Sequence, residues 1–89
     1  MNGSIVLNNP AGRALRRGAA DVFARDVLDC AGAFESGDAV YLTFRAADGG
    51  QYALATGIAC CSGAELRRKL KFREDAIVLR GENVRLLWG

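Results

Sequence analysis

The chain has 89 residues, 51% of them hydrophobic and 25% charged, with a single proline; this is the profile of one small folded core, not of two domains or a disordered tail. Twelve basic side chains against ten acidic ones leave a net charge of +2, which permits a polyanionic partner without announcing one. No apolar run approaches the ~20 residues needed to cross a bilayer, and the absence of histidine removes a zinc cluster and the commonest general base.

Met1 to Ser4 has neither the basic start nor the long apolar stretch of a secretion signal, so a cytoplasmic chain is expected. Ser4 to Leu7 reads as a first strand, and Asn8-Asn9-Pro10 as a capped helix start at Pro10. In that helix Ala11, Ala14 and Leu15 share one side while Arg13, Arg16 and Arg17 share the other, and Gly18 stands where a left-handed cap belongs. Ala19 to Arg25 is expected to be an irregular connection and Asp26 to Ala33 a second strand. Phe34 to Asp38, with Gly37, reads as a turn.

Ala39 to Arg45 alternates, with Val40, Leu42 and Phe44 on one face and Tyr41, Thr43 and Arg45 on the other. After Asp48-Gly49-Gly50 the alternation resumes as Tyr52, Leu54, Thr56, Ile58 and Cys60, which predicts a hairpin. Ser62-Gly63-Ala64-Glu65 matches a capping box, so a second helix starts there with Leu66 and Leu70 inward. Ala76 to Arg80 and Asn83 to Trp88 read as two terminal strands joined by a tight turn at Gly81-Glu82. The fold class expected is mainly β with two short helices (α+β), the strands curling into a nearly closed barrel plugged by the helices.

Several segments in this order resemble a known family: Gly3 to Val6, the helix with Ala14-Leu15, Gly32 leading to Phe34, Gly37 to Val40, Ala55 to Ile58, Ser62 with Glu65-Leu66, and Val78 to Val84. Together they are similar to the PUA domain attached to the C-terminus of gamma-glutamyl kinases (glutamate 5-kinases). The chain departs from that pattern at Asp21 to Asp26, at Cys60-Cys61 and at Asn8 to Ala11. The resemblance implies a six-stranded mixed pseudo-barrel over residues 3–88, appended to a larger chain. It implies no catalysis in the domain itself and no cofactor. The partner it implies is structured RNA or, in the parent chain, an amino-acid kinase domain of proline biosynthesis.

Three arginines at i, i+3 and i+4, Arg13, Arg16 and Arg17, can clamp successive phosphates, and Arg25 and Arg80 join them as candidate RNA contacts. A denser cluster, Arg67, Arg68, Lys69, Lys71 and Arg73, is offset by Glu65, Glu74 and Asp75 and reads as solvated surface or a docking face. Tyr52 and Trp88 are the aromatic side chains that could stack on bases. Cys60 and Cys61, adjacent on a strand, point to opposite faces, so one belongs to the core and the other to the surface. No phosphate-binding glycine loop and no tuned pair of acids appears, so two functions remain: an RNA-binding module, or a regulatory or oligomerisation module of a kinase.

Overall fold

The computed structural model describes residues 3–18 and 20–87. The order is β1 (Gly3–Leu7), α1 (Asn9–Arg17), β2 (Val22–Phe23), a 3-10 turn (Ala24–Asp26), β3 (Val27–Gly32), β4 (Ala39–Arg45), β5 (Gln51–Ile58), α2 (Gly63–Lys71), β6 (Ile77–Leu79), a second 3-10 turn (Gly81–Asn83) and β7 (Arg85–Leu86). Five strands form a mixed sheet in the order β3-β1-β4-β5-β7, and β2 and β6 form a second, two-stranded sheet. β1 is an interior strand: it runs antiparallel to β3 and parallel to β4. The architecture is the α+β, mostly stranded pseudo-barrel expected, with strand β2 added.

The core draws on nearly every element. Ile5 and Leu7 of β1, Leu15 of α1, Val40 and Leu42 of β4, Leu54 of β5, Leu66 of α2, and Val78 and Leu79 of β6 are all essentially inaccessible. Phe34, placed in a turn by its glycine and acidic neighbours, is also fully buried. The buried hydroxyl Thr43 Oγ1 donates to Ile5 O at 3.4 Å and accepts from Gln51 Nε2 at 3.0 Å, so its burial leaves no polar atom unmatched.

Both helix starts are made by the local chemistry expected. Asn8 Oδ1 accepts from Ala11 N–H at 2.9 Å, and α1 begins one residue before Pro10. Ser62 Oγ accepts from Glu65 N–H at 3.1 Å while Glu65 Oε1 accepts from Ser62 N–H at 3.4 Å.

Several local expectations are corrected. Gly18 has φ 159° and ψ 164°; this is extended backbone, so α1 ends without a left-handed cap. The buried residues of α1 are Gly12 and Leu15, and Ala14 is exposed. The segment expected to be irregular holds β2, because Val22 finds a partner in Leu79, far away in sequence. In β5 the register with β4 shifts between Leu42 and Thr43 and leaves Leu54 as the extra residue. From there on the inward set is Ala55, Gly57 and Ala59, while Ile58 and Cys60 are exposed. Finally, β6 and β7 do not form a hairpin: β6 pairs with β2 and β7 with β5. Trp88, expected at the end of the last strand, lies outside the described residues.

Candidate nucleic-acid interface

Helix α1 buries Leu15 and must therefore turn Arg13, Arg16 and Arg17 outward. Its second buried position, Gly12, faces β4. A Cβ added there would meet Phe44 Cβ at 3.8 Å, ordinary contact distance. Phe44 stands near the end of β4, just before the β4–β5 turn, where Ala46 N–H donates to Gly50 O at 2.8 Å and Gly49 N–H to Ala46 O at 3.0 Å. Helix and hairpin thus enclose an open groove of about 310 Å³, with Arg13 and Arg16 on one wall, Arg45 on the other, and Phe44 and Leu54 between them.

The Arg16 guanidinium carbon lies 5.0 Å from the centroid of the Phe44 ring, a cation–π stack. The Tyr52 ring continues the aromatic surface, its centroid 5.9 Å from that of Phe44. Tyr52 Oη donates to Asp48 Oδ2 at 3.2 Å, which fixes the ring at the hairpin tip. None of Arg13, Arg16 and Arg45 forms an ion pair with a described residue. Their positive charge is uncompensated.

Of the sequence-predicted contacts, only Arg13 and Arg16 share this groove. Arg17, in the last turn of α1, is exposed and does not line it; Arg80 is exposed at the start of the second 3-10 turn. Arg25 is engaged elsewhere. Its Nη1 donates to Asp75 Oδ2 at 2.6 Å and its guanidinium covers the Phe23 ring at 4.5 Å. It borders a second groove of about 280 Å³ with Lys69, Leu70, Arg73, Glu74 and Asp75.

Two further shallow grooves contain Glu82 in one case and Asp21 and Asp26 in the other. Of these four, the α1–hairpin groove alone has cations and no carboxylate in its lining. Arg45 is the member that the sequence did not single out. The signal was present, since it alternates outward on β4, but its meeting with α1 depends on the packing angle.

The three thiols divide by burial. Cys30 and Cys61 are buried and Cys60 is exposed, the division expected for the adjacent pair. Burial raises both buried thiols above their ordinary value of 9.0, and Glu65 adds to the effect at Cys61. Neither is a thiolate at neutral pH. Among the described residues no helix is long and apolar enough to cross a membrane.

A family model described as "PUA domain" matches residues 3–82. Among solved structures, a PUA domain protein from Aeropyrum pernix, crystallised as a tartrate complex, superposes with a TM-score of 0.81 at 20% identity, covering 100% of this chain and 45% of its own. A conserved PUA domain protein from Thermoplasma acidophilum gives 0.72 at 16% identity, with 97% and 50% covered. NSun6 from Pyrococcus horikoshii gives 0.65 at 18% identity, with 88% and 18% covered. This chain therefore spans half or less of the length of each of these structures. No curated protein gives a significant match.

Proposed function

The chain belongs to the PUA domain family, and from that premise we propose that it is a non-catalytic module that binds structured RNA through α1 and the β4–β5 hairpin. The family is associated with RNA binding. The observation that carries the reading for this chain is the convergence of Arg13, Arg16 and Arg45 around one groove with no carboxylate in its lining. Guanidinium groups hold phosphate oxygens through paired N–H donors and release condensed counterions as they do so. Arg17 and Arg80 extend the same role as flanking cations. Arg25 contributes least, because Asp75 already offsets its charge. Such a module works in the cytoplasm, where its free thiols stay reduced.

The test is fluorescence anisotropy with labelled tRNA over a salt series. Binding is expected to weaken steeply with salt, and R13E with R16E is expected to flatten the dependence by about 0.7–0.9 in log–log slope for each phosphate no longer neutralised. A flat titration at low salt removes the reading.

A second reading follows from the other groove. Its floor of Ala24, Val27 and Leu70 under a rim of both charges suits a protein surface better than a polyphosphate. It supports a regulatory or oligomerisation module docked on an amino-acid kinase domain of the glutamate 5-kinase type, the finer kinship that the residue resemblance implies. Reading the gene upstream tests it: a kinase domain there, with inhibition and oligomer size altered on deletion of this module, is the expected outcome. An RNA-modifying domain in that place removes it.

A further inference from the structure

The α1–hairpin groove holds more than a phosphate clamp needs. A purely electrostatic contact to a phosphate backbone needs cations and no aromatic ring. Here the three arginines surround a recess, and one of them is committed to a ring: Arg16 covers Phe44. Stacked in this way, a guanidinium presents its outer plane as a platform, and such planes, like aromatic rings, stack on unpaired bases. Tyr52, 46% exposed beside Phe44, lengthens the platform. Asn9 lines the groove and brings an amide capable of reading a base edge.

We infer that this groove is a subsite for one unstacked nucleotide, whose base lies against the Arg16–Phe44 stack and whose phosphate meets Arg13 and Arg45. The volume of about 310 Å³ is at the low end of small-ligand sites. A base-paired duplex is too wide to enter it. The chemistry discriminates in the same direction. An uncharged aromatic ligand would leave three cations uncompensated, and a simple anion would leave Phe44, Tyr52 and Leu54 without purpose. A planar anion uses both halves. The inference rests on the RNA-binding reading for the source of the nucleotide, since the same chemistry is offered by a free mononucleotide and by an unpaired residue of RNA.

The experiment separates these. Anisotropy is measured with a short single-stranded RNA and with a blunt RNA duplex of equal length, on the native chain and on R16K, which keeps the charge and loses the plane. In parallel, the Phe44 and Tyr52 ring resonances are followed by NMR as adenosine monophosphate is added. A single base–platform contact predicts that R16K weakens the single strand by about five- to tenfold more than it weakens the duplex. It also predicts ring shifts on nucleotide addition or with the single strand. An unchanged unfolding midpoint in R16K shows that the effect is local. If R16K affects both RNAs equally, or neither, and the rings do not move, the subsite is rejected while RNA binding stands. Ring shifts with the mononucleotide but no RNA binding keep the subsite and reject the RNA reading. Silence in every arm rejects both.

Discussion

At position 73 an arginine holds φ at 54°, the only positive φ at a non-glycine residue among those described. The backbone around it explains why. Just past α2, Arg73 N–H donates to Leu70 O at 3.4 Å and Glu74 N–H to Lys69 O at 2.9 Å, the double closure that ends helices on a left-handed residue, usually glycine. A Cβ there costs about 1–2 kcal/mol, part of which glycine loses again through its freer unfolded chain. Arg73→Gly is therefore expected to stabilise by about 0.5–1 kcal/mol, read as a higher urea midpoint with unchanged slope.

The cysteines give a second prediction at this scale. Burial raises Cys30 and Cys61 above 9.0, so the folded state keeps protons that the unfolded chain releases near that pH. The stability they contribute is full below about pH 9 and is lost as pH rises through the folded values. Alkylation at pH 8 is expected at Cys60 alone in the native protein, and the stability loss above pH 9 is expected to be shallower in Cys30→Ala with Cys61→Ala. Single-residue chemistry was the most legible layer of the sequence: the Asn8 cap and the Ser62–Glu65 box involve neighbours three positions apart. The Arg45 contribution to the groove was hidden, because nothing within its own strand says which helix will cross above it.

Elements were legible where their pattern was uninterrupted and misread where a single residue broke it. β4 runs over Ala39–Arg45, the span that its alternation predicts. β5 begins with the same clarity, but the extra residue at Leu54 exchanges its two faces halfway along. Alternation counted straight through therefore put Ile58 and Cys60 on one face with Leu54, whereas Leu54 is buried and both of them are exposed. β2, two residues long, has no period to detect and exists only because β6 pairs with it. Helix α1 carries the prediction at this level. Gly12 lowers its helical propensity, and a methyl group at that position would sit in ordinary contact with Phe44. Gly12→Ala is expected to raise stability by about 0.5–1 kcal/mol, measurable as a shift in the urea midpoint.

At the scale of the whole molecule the second sheet acts as a clasp between distant parts of the chain. Gly81 N–H donates to Asp21 Oδ1 at 2.8 Å, and a Cβ at Gly81 would lie 2.7 Å from the backbone carbon of Ala20. Backbone cannot swing aside as a side chain can. Gly81→Ala is expected to destabilise by about 1–3 kcal/mol, seen as a lower midpoint of cooperative unfolding. This closure was invisible in the sequence, where Gly81-Glu82 reads as a turn between two paired strands. The charge distribution was partly legible: the Arg13–Arg16 face stands as expected, while Arg25, grouped with it by type alone, is tied to Asp75 near another groove.

The place of β1 between β3 and β4 has a kinetic consequence. Both of its neighbours come much later along the chain, as the pairings Gly3–Gly32 and Ser4–Tyr41 show, so β1, unlike the β4–β5 hairpin, has no short loop to bring a partner to it early. Assembly must wait for a search between remote segments, which places its rate in the range of about milliseconds to seconds. Until β1 slots between β3 and β4, both of those strands offer bare edges to other chains, and that interval is when the nascent protein is most exposed to aggregation.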